Sequence, residues 1–162
     1  MAVTGVLRPA RPDDLAALDA LLAESYPRLL RADYPPSVMV LALPLIARAQ
    51  PKLLACGTYH VVEHRGRLIG AGGWTPRGRD PGRADIRHVA VDWRFVRQGV
   101  AGAILRHALS EARAAGVAEM RCEATRTAVP FYRAMGFRDL GEVAIPLAPG
   151  VEFPAVRMVR ML

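Results

Sequence analysis

The sequence predicts an α/β chain of the α+β kind, with about seven strands and about four helices. Three observations carry that prediction. Short runs rich in β-branched residues are interleaved with longer segments whose apolar residues recur at helical spacing. Taken in order they read β-α-α-β-β-β-α-β-α-β-β, which places three strands in succession before the long helix and two at the end. The 162 residues are 52% hydrophobic and 23% charged, a globular composition. That length suits one domain, spanning 1–162, with a core of ordinary size.

Val3 to Arg8 alternates as a first strand. Pro12, Asp13 and Asp14 mark a helix start, because proline suits the first position and acids suit the positive end of the helix dipole. Leu15, Leu18, Leu21 and Leu22 form its apolar stripe, and Pro27 is expected to limit it. Tyr34-Pro35-Pro36-Ser37 breaks the chain before a second apolar helix over Ser37–Ala49. Thr58–Glu63 and Leu68–Trp74 flank the turn His64–Arg67 as a hairpin. Thr75–Arg83, with two prolines and two glycines, reads as an exposed loop before the central strand Ile86–Val91. Phe95–Gln98 turns into a helix from Gly99 to Ala115, with Gly116 as its C-cap residue. Val117–Ala124 is a strand, and Thr127 caps a short helix through Met135, ended by Gly136. Two closing strands, Phe137–Ile145 and Glu152–Met161, are joined by Pro146–Val151.

Composition excludes several classes. No apolar run reaches the roughly 18–20 residues of a membrane span, and no signal-peptide core is present, so a soluble cytoplasmic protein is expected. Cys56 and Cys122, the two cysteines, are expected as reduced core thiols. Cys56, His60, His64 and His88 make no known zinc spacing, and no metal is expected. The net charge of +7 invites a nucleic-acid reading. Yet the basic residues, nearly all arginine with Lys52 the one lysine, scatter along the chain without a basic helix. Nucleic acid is therefore not an expected partner, whereas a cationic surface suits a polyanionic cofactor.

The chemistry concentrates between Asp85 and Gly102. A short apolar strand there runs through a basic turn into a helix that opens on Gly99, Ala101 and Gly102. First-turn amides are unpaired and carry the positive end of the dipole, and small side chains let a phosphate approach the backbone. Arg94 and Arg97 add charge beside that seat. The ATP-type glycine-lysine loop and the dinucleotide fingerprint Gly-x-Gly-x-x-Gly are both absent.

The stretch resembles the acetyl-CoA pyrophosphate motif of the GNAT (GCN5-related N-acetyltransferase) superfamily, Arg/Gln-x-x-Gly-x-Gly/Ala after a strand ending apolar-x-Val. Gly99-Val100-Ala101 matches its second half and Val89-Ala90-Val91 its strand, while Val96 stands where the motif has Arg or Gln. A second match, Ala128-Val-Pro-Phe-Tyr-Arg-Ala-Met-Gly-Phe137, resembles the Ala-x-x-Phe-Tyr-x-x-x-Gly-Phe signature after the fifth strand. The resemblance covers nearly the whole chain. It implies a central mixed, mostly antiparallel sheet splayed between strands 4 and 5.

It also implies transfer of an acetyl group from acetyl-CoA, as cosubstrate, to a primary amine of a small molecule. The attack is direct, within a ternary complex. Pantetheine would run beside Val89, Ala90 and Val91, with the Val89 amide as oxyanion donor. The phosphates would meet the amides of Arg97, Gln98, Gly99, Val100, Ala101 and Gly102. Tyr132 matches the residue that protonates the CoA sulfur, a role suited to a hydroxyl with an ordinary pKa near 10. For the general base three residues compete: Asp85, placed first, then His88, which a regular strand would turn to the opposite face, and Glu123. A water chain is the fourth option. Acceptor choice is expected from Glu24, Tyr26, Arg28, Arg31, Asp33, Tyr34 and the Pro146–Val151 loop. The rival readings are a protein or peptide N-acetyltransferase, and a non-catalytic acyl-CoA sensor. A homodimer through the last strands is permitted by the alternation Val156, Met158, Arg160, Leu162.

Overall fold

The computed structural model describes residues 4–162, and the strand start expected at Val3 lies outside them. Strand β1 (Val6–Pro9) leads through a 3₁₀ turn at Pro12–Asp14 into helix α1 (Leu15–Leu30). The Asp14 carboxylate accepts the Arg11 amide at 2.8 Å and two Arg8 guanidinium bonds at 2.8 and 2.9 Å, tying strand to helix. Leu18, Leu21 and Leu22 are buried as the stripe requires. Pro27, however, does not end the helix. A proline at this position deprives the Ala23 carbonyl of its partner, and Ala23 is exposed, so water can take the bond.

Helix α2 (Pro36–Ile46) tolerates Pro44 for the same reason, since Val40 is exposed, but it stops short of Ala49. An unforeseen short helix, α3 (Pro51–Leu54), follows with Pro51 at its first position. Strands β2 (Tyr59–His64) and β3 (Arg67–Arg77) form the expected hairpin. The stretch 75–83, expected as a loop, is mostly strand: β3 runs to Arg77 and β4 covers Asp80–Val91. The prolines are accommodated by a register irregularity at Pro76/Arg77 and by the position of Pro81 near the start of β4.

A 3₁₀ turn at Trp93–Phe95 leads to helix α4 (Val100–Ala114), then strand β5 (Glu119–Ala124). Thr125, rather than Thr127, accepts the Ala128 amide and caps the 3₁₀ turn before helix α5 (Val129–Ala134). Strands β6 (Arg138–Ala148) and β7 (Val151–Met161) close the chain, and the expected loop at 146–151 shrinks to a Pro149–Gly150 turn.

All seven strands join one sheet in the order β1-β2-β3-β4-β5-β7-β6, with β4–β5 the parallel neighbours. That pair is short: Arg83–Asp85 meet Glu119–Arg121, after which β4 keeps β3 alone and β5 keeps β7. The sheet therefore splays open beyond Asp85. One face is covered by α1 and α3 over Tyr59, Val61, Ala71 and Ala90. The other carries α4 and α5 over Met120, Cys122, Phe137 and Met158. Helix α4 sits so close to β3 that a Cβ on Gly72 would lie 2.7 Å from Ile104 Cγ2, and only glycine fits there.

Strand β7 lies between β5 and β6, and Met158 is fully buried. The free sheet edges therefore belong to β1 and β6. No helix among the described residues is long and apolar enough to cross a membrane. Of the thiols, Cys122 is buried but Cys56, expected in the core, is exposed.

Candidate active site

The splay acquires its chemistry from a defect in β4. Ala71 pairs with Ala90 and Gly73 with Arg87, so Gly72 alone opposes both His88 and Val89. One extra residue on a strand is a β-bulge, and His88 absorbs it with a left-handed φ of +46°. The bulge shifts the face parity of everything beyond it. Asp85 and His88, expected on opposite faces of a regular strand, consequently line one cavity together with Glu123.

His88 is held from several sides. The Tyr59 hydroxyl donates to its carbonyl at 2.8 Å, and Tyr26 meets its ring edge-on at 5.9 Å between centroids. Its Nε2 lies 3.2 Å from the Ile46 carbonyl, which can only accept, so Nε2 carries the proton. Nδ1 is left as an acceptor, closed to solvent and without a partner among the described residues. Burial, with Arg87 adding to it, holds the His88 pKa below the usual imidazole value despite the Ile46 bond, so the ring is neutral at pH 7.

The cavity has a volume of about 470 Å³, within the range of small-molecule sites. Tyr26 and Ile46 wall it from the helical side, and Ile145, Leu147 and Phe153 from the closing hairpin. Its charges are mixed. Arg77 and Arg87 stand with Asp85 and Glu123; Arg77 lies 4.0 Å from Asp85, and Glu123 pairs outward with Arg157 at 3.5 Å. Of the acceptor residues expected from sequence, Tyr26 is present. Asp33 and Tyr34 instead bond Thr127, the Arg126 amide and the Pro154 carbonyl, tying α1 to the α5 entry and β7.

Tyr132 does not line this cavity. It comes from the α4/α5 side, packed edge-on against Phe131 and Phe137, 6% exposed. Burial pushes its pKa well above 10, and Cys122, Tyr26 and Tyr59 are near enough to push it further. Its hydroxyl therefore stays protonated throughout the neutral range. The Cys122 thiol, pushed up to about 12 mainly by burial, is inert beside it.

Beyond the bulge, Val89 is half-buried against α4, while Ala90 and Val91 are buried. Because β5 has diverged, the edge of β4 that faced it is unpaired from Ile86 onward. Such an edge can take an extended ligand as if it were another strand. The chain then turns through left-handed Arg97 (φ +59°) and Gly99 (φ +84°) into α4. Successive amides about such residues form a concavity for an anion, at the positive end of a 15-residue helix. Gly99 caps that helix without any side-chain bond, so Val100, Ala101 and Gly102 keep free first-turn amides.

Arg94 does not add charge to this seat. Its guanidinium bonds Asp92 at 2.8 and 3.0 Å and reaches Glu24 at 3.4 Å, and it serves to pin the turn. Sequence reasoning missed Arg106, whose Nη1 lies 3.1 Å from where a Gly102 Cβ would be. Long helical side chains lean toward the N-terminus, so a cation four residues after a first-turn glycine was the available signal. Tyr59, Arg77 and Arg87 left no such signal, because only the bulge and the sheet order bring them here.

A sequence model of the Acetyltransferase (GNAT) family matches residues 17–137. No curated protein matches the chain. Among solved structures, a GCN5-related N-acetyltransferase of Rhodopseudomonas palustris superimposes with a TM-score of 0.81 at 19% identity, over 100% of this chain and 98% of that one. PaiA N-acetyltransferase of Thermoplasma acidophilum, crystallised with coenzyme A, gives 0.70 at 15% identity over 99% and 100%. The ribosomal-protein-S18-alanine N-acetyltransferase of Escherichia coli gives 0.67 at 18% identity over 98% and 94%. At these identities the likeness is one of fold.

Proposed function

The chain belongs to the GNAT family of acetyltransferases, and on that premise we propose that it transfers the acetyl group of acetyl-CoA to the primary amine of a small molecule. The observation that carries this reading is the bulged, splayed β4, with an anion seat at one end and a mixed-charge cavity at the other. In this reading the phosphates sit on the amides from Arg97 to Gly102, with Arg106 beside them. Pantetheine takes the unpaired edge of β4 along Val89, Ala90 and Val91, which carries the thioester to the bulge. The Val89 amide donates to the carbonyl oxygen as it becomes an oxyanion.

The acceptor enters the cavity, where Asp85 and Glu123 attract its ammonium. His88 takes the proton at Nδ1, which acceptor binding must first uncover by moving the cavity wall. Its neutral state and fixed tautomer support it over Asp85, the first choice from sequence, whose carboxylate has Arg77 for a neighbour. The amine attacks the thioester carbon directly, the tetrahedral intermediate sheds its second amine proton to solvent and expels CoA thiolate, and the Tyr132 hydroxyl gives that sulfur its proton and regains one from solvent. Arg77 and Arg87 suit an acceptor that carries an anionic group as well as its amine. Walls on both sides favour a small molecule over an extended peptide. A cytoplasmic setting suits both unpaired thiols.

Calorimetry with acetyl-CoA, then thiol release over a panel of amines and N-terminal peptides, tests this reading in wild type and Tyr132→Phe. Binding with turnover of amines bearing a carboxylate or phosphate is the expected result. Tyr132→Phe should lower kcat by about 10²-fold, the low end of general acid catalysis. Turnover of peptides alone would make the acceptor a protein. Binding without any turnover would leave an acyl-CoA sensor, and no binding would overturn the reading.

A further inference from the structure

His60 on β2 and His107 on α4 turn their Nε2 atoms toward each other at 3.1 Å, although 47 residues separate them. Glu111, one helical turn after His107, brings Oε2 to 3.8 Å from His107 Nε2. The three ligand atoms all lie within 4.8 Å of one another. From this geometry we propose that His60 Nε2, His107 Nε2 and Glu111 Oε2 form a site for a divalent transition ion of the zinc class, clamping α4 to β2.

The distances suit the ion. Zinc bonds imidazole nitrogen at about 2.0–2.1 Å, and tetrahedral angles then set neighbouring ligand atoms roughly 3.3 Å apart. The histidine pair is nearly there, while Glu111, 3.8 Å from His107 and within 4.8 Å of His60, must swing inward to join it. Without a cation the pair is an N–H···N hydrogen bond, in which one Nε2 donates its proton to the lone pair of the other. An ion takes both lone pairs, while the displaced proton moves to Nδ1 or solvent. The ligands are also ready to bind. His60 is 6% exposed, and burial first, then His107, holds its pKa below the usual value, so it is neutral. Glu111 is oriented through its other oxygen, which accepts the Trp74 indole N–H at 2.9 Å, as outer-shell partners commonly orient metal carboxylates.

Two imidazoles and a carboxylate suit zinc, cobalt, nickel or copper, and are a poor set for magnesium or calcium. The sequence hides the site because its third ligand is contributed by a distant strand. Its metal-free expectation weighed His60 against His64, His88 and Cys56, none of which the fold brings to it. The site lies on the α4 face of the sheet and takes no part in the proposed acetyl transfer.

Zinc titration of the chelator-treated protein, by calorimetry and by thermal melting, tests the proposal without any turnover assay. One ion per chain and a Tm higher by several degrees at saturation are expected, because the ion binds the folded state. Cobalt should give the visible absorption of a four-coordinate site, and zinc should perturb Trp74 fluorescence. His107→Gln and Glu111→Gln change half-exposed side chains, so both should fold. Each should weaken zinc by more than the roughly 10–100-fold that an outer-shell change costs. His64→Gln, a control outside the cluster, should bind as wild type does. Absence of binding in wild type, undiminished binding in His107→Gln, or equal loss in His64→Gln overturns the proposal.

Discussion

Single side chains in this protein take their roles from burial more than from their intrinsic chemistry. His88 is the clearest case, with its tautomer chosen by the Ile46 carbonyl and its neutral form by its surroundings. If it is the base, wild-type kcat/KM should stay level with falling pH until below the ordinary imidazole value of about 6.5. His88→Gln should erase that acid limb and lower kcat by roughly 10²-fold. Asp85→Asn should instead raise the acceptor KM and leave the limb in place. A pH profile of the three proteins decides, and loss of the limb in Asp85→Asn would return the base to Asp85. Tyr59 is a positioning residue in the same device. Tyr59→Phe removes the hydroxyl that holds the His88 carbonyl, and should lower kcat with little change in acetyl-CoA affinity.

Among the elements, the entry to α4 is the one on which cofactor binding depends. A Cβ at Gly99 would meet nothing within 4 Å, so substitution there is resisted by backbone conformation alone, at φ +84°. Gly99→Ala should lower stability by about 1–2 kcal/mol, the penalty of a left-handed residue bearing a Cβ. A distorted first turn should also weaken acetyl-CoA by about tenfold, or 1.4 kcal/mol. Urea melts and calorimetry separate these effects. Arg106→Ala should weaken acetyl-CoA similarly at low salt and leave kcat at saturation unchanged, because the guanidinium is distant from the thioester. Its effect should shrink as salt screens the exposed charge. The β4 bulge is the other decisive element, since it alone places Asp85 and His88 on one face.

For the molecule as a whole, acid sensitivity follows from the buried imidazoles. His60 and His88 both have folded pKa values below the ordinary 6.5. The unfolded chain therefore binds more protons below that value, and stability is full above about pH 6.5 and lost as pH falls through the folded pKa values. Asp14, held below the usual carboxylate range chiefly by its Arg8 hydrogen bonds, adds a further loss at lower pH. Melting temperatures should be level from pH 8 to 7 and fall between pH 6.5 and 5. His60→Gln or His88→Gln should each flatten part of that fall, and an undiminished slope in both would contradict the assignment. Much of this architecture was legible in the chain alone. The sequence by itself determined the order of the strands and of every helix but α3, the glycine-opened α4 and the Phe131–Tyr132 signature, because periodicity, caps and short motifs are local properties. It misjudged Pro27 and the prolines of 76–81, because whether a proline breaks an element depends on what faces the carbonyl it leaves unpaired. Only the tertiary structure decided that β4 bulges at His88 and that His60 meets His107. Each of these is set by register or by packing between distant segments, and neither can be read from neighbours along the chain.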